Sequence, residues 1–178
     1  MEEIKETDMS QRVRALTVDW TRCTGCGVCE LVCSFTHEGY FNPALSRIRV
    51  FRIHERGIHF PVACLDCADP PCVAACPTTA CHIDQSVPVV RVEERLCIGC
   101  RECVAACPFG AAHFNPFTGK AYQCDLCSGQ PACVSQCYPG ALSFEPVEGV
   151  GVRKGRNHAE RRVRSALPGL PSTEAATA

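Results

Sequence analysis

The chain has 178 residues and a formal net charge of −1 at pH 7, with 46% hydrophobic and 7% aromatic residues. This length allows one domain or two small ones, and a charge so close to zero gives no reason to expect nucleic-acid binding. No apolar run approaches the roughly 20 residues of a membrane helix, so direct membrane insertion is not expected.

The amino-terminal part of the chain predicts an arm, a strand, a loop and a helix in turn. Residues 1–11 are polar and indicate a mobile arm, and residues 12–20 partly alternate apolar and polar side chains, which favours a short strand. In the cysteine-rich loop that follows, Gly25 and Gly27 allow the backbone to wrap closely around a bound group. Residues 30–37 then predict a short helix.

The next segment predicts a β-hairpin. Residues 47–53 alternate charged and apolar side chains, Gly57 supplies a turn, and residues 58–63 form the returning strand. One face of this hairpin is basic and carries Arg47, Arg49, Arg52 and Arg56. Two interpretations of that face stay open, namely a solvated strand surface and a docking surface for a partner.

Two further strands and a tail complete the predicted elements. Residues 87–92 are rich in valine, and residues 140–144 follow a proline and begin with a glycine, so both segments favour strands. The composition changes beyond residue 148, and residues 149–178 predict a basic tail with a helix at 157–167 and a disordered end.

The 17 cysteines carry the chemistry of this sequence. Cys97 to Pro108 follow the C-x2-C-x2-C-x3-C-P spacing with which bacterial ferredoxins hold [4Fe-4S] clusters. Three further quartets have the same or a slightly longer spacing, and the segment CVAAC recurs in two of the four as an internal repeat. The four quartets are Cys23, Cys26, Cys29 and Cys33; Cys64, Cys67, Cys72 and Cys76; Cys97, Cys100, Cys103 and Cys107; and Cys124, Cys127, Cys133 and Cys137.

Four quartets, at four thiolates per cube, predict four [4Fe-4S] clusters. Zinc sites also use paired cysteines, but they rarely place a third and a fourth cysteine at this spacing. A radical enzyme or a dehydratase needs a cluster with an open iron, and no quartet here is short of a cysteine. Only Cys81 is left over, for which a buried structural thiol is the default interpretation and a spare ligand or redox thiol the alternative.

The remaining composition supports a metal protein in a reducing compartment. Cysteines at this density would indicate a disulfide scaffold in a short secreted chain, but metal-type spacings and the lack of an export signal in residues 1–12 favour the cytoplasm. Because aromatic residues are few, the clusters must act as the core, so we expect the cluster-free chain to be largely unfolded. The histidines show no mutual ligand spacing, and surface or packing roles are expected for His37, His54, His59, His82, His113 and His158.

With its four quartets in this order, the chain resembles the four-cluster iron–sulfur subunits of the dimethyl-sulfoxide-reductase type over residues 12–146. Within that family, the segment HEGYFNPALSRIRV is most similar to the small subunit of tungsten-dependent aldehyde oxidoreductases. The resemblance implies an α+β fold of two pseudo-twofold, ferredoxin-like modules within residues 12–148. The outer module combines 12–63 with 108–148, and the inner module is 64–107.

The family's wiring, carried over residue by residue, pairs the outer quartets with each other and the inner quartets with each other. Cube 1 takes Cys23, Cys26, Cys29 and Cys137; cube 2 takes Cys124, Cys127, Cys133 and Cys33; cube 3 takes Cys64, Cys67, Cys72 and Cys107; cube 4 takes Cys97, Cys100, Cys103 and Cys76. The spacing alone indicates only that each fourth cysteine belongs to another cube.

The resemblance implies an electron-transfer subunit without a catalytic site of its own. Its expected partners are a large molybdenum- or tungsten-pterin catalytic subunit, with an aldehyde as reductant, and a flavin subunit or ferredoxin as acceptor. The alternatives are a subunit of a formate dehydrogenase, hydrogenase or aromatic-ring reductase complex, or a stand-alone polyferredoxin. Self-association through the basic tail is a further hypothesis.

Overall fold

The computed structural model describes residues 14–84 and 89–146, which form eight short strands, four short α-helices and four short 3-10 helices. The strands are β1 (Arg14–Val18), β2 (Arg49–Ile53), β3 (Ile58–Val62), β4 (Cys81–Ile83), β5 (Val90–Val92), β6 (His113–Asn115), β7 (Lys120–Tyr122) and β8 (Leu142–Pro146). The helices are α1 (Val28–Glu38), α2 (Pro71–Ala74), α3 (Glu102–Ala106) and α4 (Ala132–Ser135). The predicted α+β class is confirmed. The expected arm at 1–11 and tail at 149–178 lie outside the described residues.

The strands form four separate antiparallel pairs, which are β1 with β8, β2 with β3, β4 with β5, and β6 with β7. The β1–β8 pair joins the two ends of the described chain, with Leu16 opposite Phe144 and a 2.8 Å hydrogen bond between the hydroxyls of Thr17 and Ser143. Isolated pairs of this length are marginal in water, so the sheets depend on what lies between them.

Three predicted elements are confirmed with shifted ends. The first helix begins at Val28, two residues before the prediction, and ends at Glu38, one residue after it. Gly39 follows as a glycine C-cap, with a φ of +78° and an N–H bond to the Phe35 carbonyl. The last strand starts at Leu142 because Gly140 still turns the chain at a φ of +62°. Of the predicted strand at 87–92, β5 covers the last three residues, and 85–88 lie outside the description.

The predicted hairpin is present as β2 and β3, in register from Arg49 opposite Val62 to Ile53 opposite Ile58. On its basic face, three of the four arginines have partners within the chain, whereas Arg52 and Arg56 are also exposed, so the face is partly solvated. Arg47 pairs with Asp125 at 2.9 Å, Arg52 pairs with Glu30 at 2.8 Å, and Arg49 donates to the Ala44 carbonyl. These arginines fasten the hairpin to the cysteine-bearing segments.

The core is thin and built largely from cysteine, as the composition predicts. Helix α1 packs against α4, and α2 packs against α3, so helices from the first and last quartets meet, as do those from the two middle quartets. Each pair has its own buried cluster, one around Ile48 and Val50 and the other around Ala80 and Val90. Within residues 14–84 and 89–146, no helix has the length and apolar character needed to cross a bilayer.

Candidate metal centres

All 17 cysteines are described, and all carry free thiols. Eight of them are buried, namely Cys29, Cys33, Cys72, Cys81, Cys97, Cys103, Cys124 and Cys133. Cys26 and Cys100 are exposed, and the others are half-buried. Free thiols grouped in a buried interior are a donor set for soft or borderline metals such as iron, because thiolate is a soft ligand.

One small cavity lies between the first and last quartets. The cysteines that line it are Cys23, Cys26, Cys29 and Cys137. The first three come from the loop before α1 and the start of that helix, whereas Cys137 follows α4, so the packing of α1 on α4 brings them together. In the loop, Gly25 has a φ of +71° and its Cα faces the ring of His59 so closely that a Cβ would lie 2.6 Å from His59 Cγ.

A second small cavity lies between the two middle quartets. The quartet cysteines that line it are Cys76, Cys97, Cys100 and Cys103. Gly99, between Cys97 and Cys100, has a φ of +72°, and a Cβ there would clash with the carbonyl oxygen of Gly119. Both cavities therefore combine three cysteines of one glycine-containing segment with the fourth cysteine of a different quartet.

The expected ligands of the other two cubes also lie near one another, because the charges of neighbouring cysteines affect the pKa values of Cys64 and Cys133. Burial, with smaller contributions from Asp66, Cys72 and Cys107, raises the pKa of Cys64 to about 12. Burial also raises the pKa of Cys133 to about 12, helped by the neighbouring Cys33 and Cys127. In the first group, Cys107 of the third quartet lies near Cys64 and Cys72 of the second. In the second group, Cys33 of the first quartet lies near Cys127 and Cys133 of the last.

These thiols need a cation in order to ionise. Burial first, and then the charge of Glu30, raises the pKa of Cys29 to about 12, and burial raises that of Cys103 to about 11. Metal ligation requires the thiolate form, so a bound metal must compensate the desolvation of these sulfurs. The donor set, its arrangement and its burial fit four-thiolate clusters, each of which would be held by three cysteines of one quartet and the fourth cysteine of another.

Backbone amides point at the fourth cysteine of the first three quartets. The N–H of Arg47 donates to Cys33 Sγ at 3.2 Å, that of Cys81 to Cys76 Sγ at 3.3 Å, and that of Ala111 to Cys107 Sγ at 3.4 Å. Burial acts to raise the pKa of Cys76, but hydrogen bonds from Cys81 and Thr78 outweigh it and lower that pKa. Such N–H···S bonds stabilise negative charge on cluster ligands.

A polar network beside Cys127 was missed by the sequence reasoning. His37 Nε2 lies 3.6 Å from Cys127 Sγ and 3.5 Å from Asp125 Oδ1, and Asp125 also pairs with Arg47. Burial and the charge of Arg47 lower the pKa of His37, against the opposing effect of Asp125, so its imidazole is neutral at pH 7. His37 and Cys127 are 90 positions apart, so no local spacing could have revealed this contact.

Cys81, the cysteine outside the quartets, is buried, as the default interpretation expects. It lies on β4 and lines the second cavity. The side chain of Gln123 lies beside it, with Nε2 3.4 Å from Cys81 Sγ. No sequence pattern singled out Gln123.

Comparison with known proteins agrees with this chemistry. Residues 56–148, just over half of the chain, match the family described as 4Fe-4S dicluster domain, and residues 16–35 match the 4Fe-4S binding domain. The polyferredoxin-like subunit of the Pyrococcus furiosus aliphatic sulfonate oxidoreductase is 45% identical over 59% of this chain and 60% of its own length. One subunit of the anaerobic dimethyl sulfoxide reductase of Escherichia coli is 33% identical over 61% of this chain and 58% of its own length.

Among solved structures, the active-site complex BamBC of benzoyl coenzyme A reductase matches with a TM-score of 0.45 and 30% identity, over 74% of this chain and 76% of that chain. The chain spans about three fifths of the length of the two curated relatives. The dicluster match covers both middle quartets and the last one, and the match over residues 16–35 covers the first quartet. The chain therefore belongs to the 4Fe-4S dicluster domain family, and it resembles iron–sulfur subunits of the dimethyl-sulfoxide-reductase type.

Proposed function

We propose that this protein is an electron-transfer subunit that relays single electrons through four [4Fe-4S] clusters. The observation that carries the proposal is the pair of cavities, each lined by three cysteines of one quartet and the fourth of another. These two sets coincide with the ligands expected for cubes 1 and 4. The neighbours of Cys64 and Cys133 support the same crossed wiring for cubes 3 and 2.

No catalytic site is part of this proposal. When bound, each cube supplies reversible one-electron storage, and in the proposed wiring every iron has a protein thiolate, which leaves no open coordination position for a substrate. The chain's own residues then hold the cubes, exclude water through buried ligands, and direct backbone N–H groups at Cys33, Cys76 and Cys107.

The packing supports a linear order from cube 1 to cube 4. Cubes 1 and 2 share the α1–α4 contact, and cubes 3 and 4 share the α2–α3 contact. Between these pairs, Cys124 packs with Val89 and Leu126 against Cys64, so cube 2 would neighbour cube 3. The exposed cysteines Cys26 and Cys100 then belong to the two end cubes, where electrons must enter and leave.

The proposed donor is a large metallopterin subunit, and the proposed acceptor is a flavin subunit or a ferredoxin. An aldehyde-oxidising tungsten enzyme follows from the sequence resemblance, whereas the name of the 45%-identical relative favours a sulfonate as a second candidate substrate of the partner. Formate dehydrogenase, hydrogenase and aromatic-ring reductase complexes, or a stand-alone polyferredoxin, are the alternatives. A cytoplasmic location is part of the proposal because 17 free thiols suit a reducing compartment.

The test is anaerobic purification followed by metal, sulfide and partner analysis. We expect about sixteen irons and as many sulfides per chain, from four cubes of four irons, and a brown colour that dithionite partly bleaches. Co-purification from the native host is expected to recover a large subunit that contains a metallopterin. Colourless protein that contains zinc, or a cluster whose ligand exchanges with a small molecule, would refute the relay.

The hypothesis of self-association through the tail is tested separately. Sedimentation of the holoprotein is compared with that of a variant that ends at residue 148. Larger assemblies of the full chain alone would support it, and identical monomers would end it.

A further inference from the structure

The residue two positions after the first cysteine of each quartet lies in the left-handed region of the backbone. These residues are Gly25, Asp66, Gly99 and Leu126, with φ values of +71°, +45°, +72° and +54°. Glycine adopts this conformation freely, whereas a bulky side chain adopts it only at a cost in conformational energy. The second and last quartets therefore carry side chains where the turn itself favours glycine.

The two glycines lie in the loops of the proposed end cubes, 1 and 4, where another element occupies the space that a side chain would need. A Cβ on Gly25 would meet the ring of His59, and one on Gly99 would meet the carbonyl oxygen of Gly119. Steric exclusion thus explains glycine in these two loops. It leaves the leucine and the aspartate of the other two loops to be explained.

The side chain of Leu126 lies in a junction between proposed cubes 2 and 3, formed by Leu126, Val89, Cys124 and Cys64. Leu126 is 3% exposed and packs with Val89 and with Cys124, an expected ligand of cube 2. Cys64, an expected ligand of cube 3, packs against the same group. Strands β1 and β8 cover the junction with one apolar side chain each. Apolar atoms therefore exclude water from the contact between ligands of two different cubes.

Asp66 fastens the loop of the second quartet to the same place. Its Oδ1 accepts a hydrogen bond at 3.3 Å from the backbone N–H of Val90, which follows Val89 in the chain. Both loops that depart from glycine are therefore attached to the beginning of β5, where the outer and inner pairs of quartets meet.

We propose that Leu126 is a positioning residue that keeps the junction between cubes 2 and 3 dry and thereby sets the reduction potentials of both cubes. The inference rests on the proposed function, in which one electron leaves one cube of this pair and reduces the other, with no bond broken and no proton moved. Water stabilises the more negative, reduced form of a cube, so a dry junction holds both potentials low. A strained conformation persists only where the surrounding structure determines it, and here the packing of the buried side chain does so.

The test measures reduction potentials in the loaded, full-length protein by anaerobic redox titration followed by electron paramagnetic resonance. Leu126→Ala and Leu126→Gly both empty the junction, and the glycine variant also relieves the backbone. We expect two of the four potentials to rise, each with a reduced-to-oxidised ratio about tenfold higher at a fixed potential, or about 59 mV for one electron. Leu126→Met, which fills a similar volume, should titrate like the wild type.

Ser128→Gly is the matched control. Ser128 lies in the same loop and has the same φ of +54° as Leu126, but its side chain is exposed. The substitution relieves the backbone without opening the junction, so all four potentials should stay unchanged. A rise in Ser128→Gly as large as that in Leu126→Gly would assign the effect to the backbone and overturn the inference.

The outcomes separate this inference from the proposed function. Wild-type protein with far fewer than about sixteen irons would refute the four-cube relay itself, whatever the variants do. Fully loaded Leu126→Ala and Leu126→Gly that titrate like the wild type would refute the dry junction alone. If these variants lose iron, Val89→Ala decides, because it opens the same space from outside the ligand loops, and unchanged potentials there would equally overturn the inference.

Discussion

Gly25→Ala should selectively weaken cube 1. Gly25 has a φ of +71°, and a Cβ added there would lie 2.6 to 2.8 Å from three atoms of the His59 ring. His59 belongs to β3, which pairs with β2 across its full length, so its backbone cannot easily withdraw. The methyl group must therefore push either the imidazole or the loop that carries Cys23 and Cys26.

The loss of stability expected for Gly25→Ala has two contributions, which a control variant can separate. A left-handed backbone costs an alanine about 1–2 kcal/mol, and overpacking a close contact adds about 1–3 kcal/mol, so the total is about 2–5 kcal/mol. Gly39 has a similar φ of +78°, but no atom of the described chain lies within 4 Å of its added Cβ. Gly39→Ala should therefore lose only the about 1–2 kcal/mol that a left-handed backbone costs an alanine.

The assay is iron content together with the rate at which cluster absorbance is lost at a fixed temperature under anaerobic conditions. Gly25→Ala is expected to lose the irons of one cube first and to fall from about sixteen towards about twelve irons per chain. Gly39→Ala should keep all of them. Adding His59→Ala to Gly25→Ala should restore part of the loss, since it removes the ring that the methyl group contacts.

Gly25→Ala that retains its iron as well as Gly39→Ala does would refute this reasoning. So would a double variant with His59→Ala that is no better than Gly25→Ala alone, because the ring would then not be the obstacle.

Three further perturbations test other parts of the structure. We expect the same four irons to be lost in each of three variants, which are Cys23→Ala, Cys137→Ala and the double variant of both. The double variant Cys137→Ala with Cys124→Ala should lose about eight irons, because these cysteines are expected to bind different cubes. A loss of about eight irons in the double variant of Cys23 and Cys137 would contradict the crossed wiring. Glu30→Gln should destabilise the hairpin by about 1.5–3 kcal/mol in thermal unfolding, because the Glu30 carboxylate accepts hydrogen bonds from Val50 N–H and from Arg52. Glu55 is exposed, so the control variant Glu55→Gln should change the stability little. Protein made without iron should show little ordered structure by circular dichroism, and a cooperative melt of such protein would contradict the role of the clusters as core.

Some of the fold could be predicted because its signals are local. The hairpin of β2 and β3 follows from alternation around Gly57, and the short helix predicted at 30–37 after the first cysteine loop is present as α1. The strands β4, β6 and β7 were not predicted, since three residues are too few to show a period.

Contacts beside the cysteines were less accessible to sequence reasoning. The arginines of the hairpin show only charge in the sequence, and their pairing with Asp125 and Glu30 depends on segments that are far apart along the chain. His37 and Gln123 carry no distinguishing spacing, because each reaches its sulfur from a distant element.

The sequence by itself determined the ligand type and the number of cysteine quartets, because a cluster loop needs thiolates at fixed, short separations and any longer spacing would miss the irons. Only the tertiary structure decided which distant cysteine faces each loop. The helix contacts of α1 with α4 and of α2 with α3 bring the fourth sulfurs into place. The tertiary structure also decided which amides, imidazoles and thiols surround the sulfurs. Hydrogen bonds of this kind depend on proximity in space and produce no regular spacing in the sequence.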